Sequence, residues 1–389
     1  MNDSKKKALS NQGGAVERFG EGVESARLAE ALAESAGPTD ELTHGFHSYP
    51  ARMHPRIARK VLQLYPGDPV VDPFCGSGSV LVEARVAGRR ALGVDLSPLG
   101  VRLARVKVDA RNEASRARFR ATLEGIAERS EERVRTRIDA RAPLPKSELQ
   151  WYAPNVLKEL AGLLEEIRAV EDVEDRRALE MLLSSIIVKV SKQRSDTSTR
   201  MEDNRIRKGL PTELFLDKGI ELVGRWAELW EVASKSPSPR VIEGDALQLR
   251  ERLPKNTRAG LVLTSPPYGG TYDYVEHHMR RYPWLGIDPS RMRRNELGAR
   301  RDFRRGKDTQ RWDQQVRQVL RAISAVKAKD AAIVLLVGDA QIGDRRIDAS
   351  RQLGRLAPDA GLRWVASASQ SRPDFTGNDD RRESLVLLR

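Results

Sequence analysis

The chain has 389 residues, 39 % hydrophobic, 32 % charged and 5 % aromatic, with 68 Lys+Arg against 55 Asp+Glu. That length allows two domains or one large domain with an insertion, and no run approaches the ~18 apolar residues of a membrane span. The single cysteine, Cys75, excludes disulfide scaffolds, zinc knuckles and iron–sulfur sites, and a net charge of +13 favours a polyanionic partner or a solvated basic surface.

Residues 1–45 read as a polar N-terminal tail leading into a short helix over 15–35. The basic start is followed by no apolar stretch, which argues against a secretory signal and predicts a reducing cytoplasmic setting. PRIARKVLQLY (55–65) has apolar residues at helical spacing, with Pro55 where a helix spares its N–H. PVVDPFCGSGS (69–79) reads as strand, glycine turn and helix start. The helix continues over 80–88 with Gly88 beyond its end, and RALGVDLS (90–97) is a second strand. This βαβ unit implies a parallel sheet.

Residues 99–235 are charged and helix-periodic, with helices expected near 99–140, 153–170, 174–193 and 212–234. They form a helical insertion, assigned to 111–235. Strands resume at 239–246 and 259–268. A helix over 314–327, a buried strand over 331–339 and two last strands at 362–371 and 383–389 follow, the last two joined by a hairpin tip, RPDFTGNDDR. Between them, 275–312 carries eleven Lys+Arg against five Asp+Glu, interleaved with Tyr282, Trp284, Phe303 and Trp312.

Two segments carry chemistry. In DPFCGSGS (72–79), Gly76 and Gly78 let backbone approach a ligand and leave helix N–H groups available. Asp95, some 20 residues on, suits the ribose hydroxyls of an adenosine-containing cofactor, or it caps the helix beginning near Pro98. In TSPPYGG (264–270), two prolines end the strand. They fix the Ser265 hydroxyl and the Ser265 and Pro266 carbonyls as acceptors beside the Tyr268 ring. That array suits a planar base with an exocyclic amine; a plain turn with a packed tyrosine is the other reading.

Together these segments resemble the S-adenosylmethionine-dependent DNA amino-methyltransferases, the N4-cytosine/N6-adenine family. The resemblance covers 46–110 and 236–389 as a catalytic domain. It implies an α/β, Rossmann-like seven-stranded sheet with an antiparallel last strand, with the insertion 111–235 as a target-recognition region. It implies S-adenosylmethionine held by Asp72, Pro73, Phe74, Gly76, Gly78 and Asp95, with Asp245 of EGDA (243–246) at the adenine amine. FHSYPARMHP (46–55) resembles the family's loop at the methionine end of the cofactor, which brings in His47 and Arg52; His47 and Tyr49 packing the loop is the alternative.

The resemblance implies that Ser265, Pro266, Pro267 and Tyr268 hold the target amine. Ser before Pro-Pro-Tyr tilts the target toward cytosine N4 over adenine N6. Cytosine C5 chemistry needs a Cys nucleophile beside proline, whereas Cys75 sits in the glycine turn. Nucleic-acid contacts are expected from Arg280, Arg281, Arg293, Arg294, Arg304 and Arg305. Phosphate contacts are expected from the basic run at 191–200, chiefly Lys192 and Arg194, with Lys189 and Arg200 beside them. No histidine spacing matches a metal motif. An RNA amino-methyltransferase and a non-enzymatic DNA-binding subunit are the other function classes; oligomeric state is not legible.

Overall fold

The computed structural model describes residues 14–196, 198, 200–203, 205–303, 309–373 and 380–389. Its spine is a sheet of strands β1 (Val16–Gly20), β2 (Val70–Asp72), β3 (Ala91–Asp95), β4 (Arg240–Glu243), β5 (Ala259–Thr264), β6 (Lys327–Gly338), β9 (Trp364–Pro373) and β10 (Asp380–Leu388). Strands β7 (Ala340–Ile342) and β8 (Arg345–Ile347) form a separate hairpin absent from the sequence reading.

The order across the sheet is β1-β9-β10-β6-β5-β2-β3-β4. Strands β6, β5, β2, β3 and β4 run parallel, and β10 runs antiparallel between β6 and β9. Seven of the eight strands, β2–β6, β9 and β10, make the expected Rossmann-like sheet with its antiparallel last strand. The chain builds outward from β2 first toward β4 and later toward β6. The order therefore reverses between β2 and β5, and a crevice opens beyond their carboxyl ends, where such sheets bind ligands. The glycine turn and the Ser-Pro-Pro-Tyr segment directly follow β2 and β5.

The eighth strand is a correction. Residues 1–45 were expected as a polar tail and a helix. Instead 16–20 pairs with β9, from Val16 opposite Gln370 to Gly20 opposite Ala366, and helix α1 (Gly22–Ala33) lies against the sheet. Leu28, Ala31 and Leu32 of α1 are fully buried, whereas β1 exposes its side chains. VERFG is an edge strand held by backbone pairing, with no apolar face for sequence patterning to show.

Helices α2 (Pro55–Leu64), α3 (Ser79–Val86) and α4 (Pro98–Val108) flank the parallel strands. The long helix expected over 99–140 breaks after α4. Asn112 accepts from the Ser115 N–H and starts α5 (Glu113–Thr136). With α6 (Pro154–Arg168), α7 (Val173–Ile187) and α8 (Leu210–Ala233), α5 makes the insertion a helical layer. Its core is continuous with α4: Trp226 packs edge-on to Phe119 and donates from Nε1 to the Val106 carbonyl at 3.0 Å. The same core includes Tyr282, Trp284 and Met292. Trp284 donates to the Tyr152 hydroxyl at 3.0 Å, so these two aromatics hold the basic segment to the insertion. On the other face α9 (Thr309–Val326) and α10 (Ala349–Leu356) cover β5 and β6. No helix among the described residues is long and apolar enough to cross a membrane.

Candidate active site

The glycine turn owes its shape to two glycines with positive φ, Gly76 at +48° and Gly78 at +86°. A Cβ on Gly76 would stand 3.1 Å from the Tyr49 ring, and one on Gly78 3.0 Å from Ala104. Turn and neighbours therefore approach as closely as glycine allows. Gly78 is the residue before α3, so the turn delivers the start of that helix to the crevice.

Asp95, at the end of β3, closes the turn from the side. Its carboxylate accepts the Gly76 N–H at 2.7 Å and the Ser97 N–H at 2.8 Å. Asp95 therefore orders the chain entering α4, and it also lines the crevice. Each oxygen accepts one of these bonds and has capacity for a second. Burial raises its pKa to about 6, against the pull of the two N–H donors.

Asp72 ends β2. It accepts from the Phe74 N–H at 3.1 Å and from the Thr264 hydroxyl at 2.5 Å. Burial pushes its carboxyl up to about 7, opposed by those bonds, with the nearby Asp95 charge adding to the rise. Asp245 accepts the Leu247 N–H at 2.9 Å and turns the chain after β4.

One cavity gathers these groups. Asp72, Pro73, Phe74, Gly76, Asp95, Asp245 and Arg52 line it together with Ser265 and Pro267. Residues from 52 to 267 thus converge on one site. Gly78 stands behind this wall as the start of α3. Pro266 and Tyr268 line a smaller apolar cavity behind the tetrapeptide, shared with Trp312 and Leu297. The Tyr268 hydroxyl donates to Glu383 at 3.3 Å and meets the Ser265 hydroxyl at 3.4 Å. Its ring lies against Gly338, where a Cβ would come within 2.6 Å.

His47 stands elsewhere. It is buried, bonded to the Ser48 carbonyl at 2.6 Å and the Ser184 hydroxyl at 3.0 Å, and it lines an adjoining cavity. Its ring ties the loop to α7, the packing alternative. The other histidines of the cluster scatter: His44 pairs with Glu83 at 2.8 Å, and His54 accepts the Arg56 N–H at the head of α2. Among the described residues no group of His, Cys, Asp and Glu could hold a metal.

The basic residues divide. Arg281 was expected at nucleic acid, yet it is 1 % exposed, donating to the Ser184 carbonyl and pairing with Asp196. Arg280 pairs with Glu148, stacks 4.0 Å over Trp151 and lines a wide groove of about 1120 Å³. Arg293 is exposed and paired with Glu276, and Arg294 is exposed. Arg304 and Arg305 lie outside the described residues. Lys192 is half-buried, its N–H bonded to the Trp151 carbonyl, and exposed Arg194 pairs with Glu202 at 3.3 Å.

Sequence reasoning missed several lining groups: Met53, Tyr274, Met292, Asn295 and Glu296 at the crevice, and Arg300, Arg301, Arg372 and Arg381 along the groove. Glu296 accepts the Tyr274 N–H at 2.6 Å, and its pKa is raised by burial despite Arg301. Arg372 and Arg381 arrive on β9 and β10, and no spacing in the chain ties them to the tetrapeptide.

Residues 46–142 match the family model described as UPF0020: RMKL-like, methyltransferase domain. That segment, from the 46–55 loop through the glycine turn into the insertion, is similar to a methyltransferase domain. S-adenosylmethionine is the methyl donor such a domain takes, and the residues present fit it. The N-terminus of α3 suits a carboxylate, and two carboxylates at adjacent strand ends suit ammonium, hydroxyl and amine groups, on a turn kept close to its neighbours by glycine. The type II methyltransferase M.MvaI of Kocuria varians is 26 % identical over 268 residues, 64 % of this chain and 59 % of that one. A tRNA (guanine(10)-N2)-dimethyltransferase of Methanothermobacter thermautotrophicus is 43 % identical over 51 residues, 12 % of this chain and 15 % of that one. The solved structure of TrmN from Thermus thermophilus is 13 % identical and covers 87 % of this chain and 49 % of that one, at a TM-score of 0.33. The chain thus spans 59 % of M.MvaI and less of the tRNA enzyme.

Proposed function

We propose that this chain methylates an exocyclic amine of a DNA base, cytosine N4 in preference to adenine N6. The observation that carries the reading is one cavity lined by both the glycine turn and the Ser265 and Pro267 side of the tetrapeptide. The similarity to a type II methyltransferase over 64 % of this chain supports DNA as substrate. The match to a tRNA guanine-N2 enzyme over 51 residues keeps an RNA amine as the second reading.

The donor, once bound, supplies an activated methyl group on a sulfonium. The turn residues Asp72–Gly78, Asp95 and Asp245 hold it, and Arg52 closes the same wall. The Ser265 hydroxyl and the Pro266 carbonyl accept the N–H bonds of the target amine. Two accepted N–H bonds fix the plane of the amine and direct its lone pair, so alignment supplies much of the rate. The Tyr268 hydroxyl has one proton and gives it to Glu383, so at their 3.4 Å contact Ser265 is the donor. Both lone pairs of Ser265 Oγ are then available to the amine. A base reaching this depth leaves its stack, and Tyr268 and Tyr274 offer it aromatic faces.

The insertion 111–235 and the basic groove would contact the rest of the substrate strand. Neutralised phosphates supply affinity there, and any base reading would come from the groove side chains. Transfer of a labelled methyl from S-adenosylmethionine to duplex DNA, followed by nucleoside analysis, tests the reading. N4-methylcytosine is expected. Label entering tRNA or rRNA but not DNA would replace this reading with the second.

A further inference from the structure

A second cavity, of about 540 Å³, opens between the 45–49 loop and the end of α7. It lies within the ~300–1,000 Å³ typical of ligand pockets. Its lining is cationic: Arg52, Lys189, Arg194, Lys218 and Arg281 against two carboxylates, Asp40 and Asp196. Gln193, Ser185 and Ser195 add polar side chains. It shares Tyr49 and Arg52 with the crevice, so one loop forms a wall of both.

Arg281 is the telling residue. It is 1 % exposed, and two of its three nitrogens are engaged, Nε with the Ser184 carbonyl and Nη2 with Asp196. Its Nη1 is buried and has no hydrogen-bond partner among the described residues. A guanidinium left unpaired in a protein interior is costly, and an anion in the cavity would complete it. Lys189 adds a charge at the rim. It is exposed and makes no ion pair or hydrogen bond among the described residues, whereas its neighbour Lys218 is already paired with Glu221. Burial and the Lys218 charge lower the Lys189 pKa, opposed by Glu221 and Asp196.

We propose that this cavity is a phosphate subsite for the backbone of the substrate strand, taking a phosphodiester next to the target nucleotide. The proposal rests on the nucleic-acid reading above and deepens it. The cavity borders the wide groove through Ser48, Tyr49, Arg52, Gln193 and Asp196, so a strand in that groove passes its mouth. Arg281 supplies a fixed donor and Lys189 a movable charge, a pairing suited to a tetrahedral anion. Asp196 holds the Arg281 fork in place and sets a limit on how deep a phosphate sits.

The test is binding without catalysis. A labelled duplex is titrated by fluorescence anisotropy across a salt series with wild type, Lys189→Gln and Arg281→Lys. S-adenosylmethionine affinity and thermal denaturation report on folding. Lys189→Gln is expected to weaken duplex binding several-fold and to reduce the slope of log K against log salt by about 0.9, one phosphate contact. Arg281→Lys should lower affinity with the slope nearly kept. Equal affinity and slope for Lys189→Gln and wild type would overturn the subsite. So would a small-anion site, seen as inorganic phosphate raising the melting temperature of wild type but not of Lys189→Gln while duplex binding stays equal. Lys189-dependent binding of a duplex that is never methylated would contradict the proposed function alone.

Discussion

Thr264, the last residue of β5, donates its hydroxyl to the Asp72 carboxylate at the end of β2, at 2.5 Å. One bond thus joins the strand that delivers the cofactor turn to the strand that delivers Ser-Pro-Pro-Tyr. Both residues are buried, and the strands are hydrogen-bonded neighbours at the point where the sheet order reverses. The register between the glycine turn and the tetrapeptide is therefore set in the core, not by the loops themselves.

Thr264→Val keeps the shape and removes this donor. A buried acceptor losing its partner costs about 1–3 kcal/mol. The hydroxyl favours the ionised form of Asp72, whose pKa stands at about 7. Its loss raises that pKa further, so the variant's deficit grows as pH rises through 7. Urea unfolding of both proteins at pH 6 and pH 8 checks this; a deficit that is smaller at pH 8 would contradict it.

Asp95 carries a pH prediction with a defined sign. Its folded pKa, about 6, lies above the ordinary carboxyl value. Its contribution to stability of the ligand-free protein is fully present below about pH 4 and is lost as pH rises through 6. Ligand binding runs the opposite way, because the ionised carboxylate is the better acceptor. S-adenosylmethionine affinity should rise through pH 6 and level off above it. Asp95→Asn should weaken binding at pH 8 by roughly 10-fold or more, the scale of a charged hydrogen bond, and flatten the rise. Calorimetric titration across pH 5–8 measures both.

Gly338 tests the placement of Tyr268 from outside the tetrapeptide. A Cβ there would come within 2.6 Å of the ring, which must shift. Gly338→Ala should lower turnover by about 10²-fold, the scale of an ångström of misplacement, with S-adenosylmethionine affinity unchanged. Turnover retained in that variant would mean the ring does not position the amine.

The sheet and both ligand-facing segments were legible because their signals are local. VVDPFCGSGS and LVLTSPPY each show an apolar strand ending in special backbone residues, and the fold brings those ends together. What escaped depends on distant partners. VERFG becomes a strand because β9 offers an edge, and Arg382 pairs with Glu17 only after that docking. Arg280 and Arg281 are adjacent and read alike, yet one stacks on Trp151 while the other turns inward to Ser184 and Asp196. His47 looked like a cofactor neighbour and is instead spoken for by Ser184, 137 residues away. Glu383 and Gly338, which fix Tyr268, lie on strands that meet the tetrapeptide through sheet pairing alone.

The proposed function is methyl transfer to a DNA amine through Ser265 and Tyr268. Its most direct test is base-modification sequencing of genomic DNA from cells expressing the wild type, beside cells expressing Tyr268→Ala. N4-methylcytosine is expected at one short sequence, present with the wild type and absent with the variant. An unmodified genome, or a mark that persists in Tyr268→Ala, would contradict it.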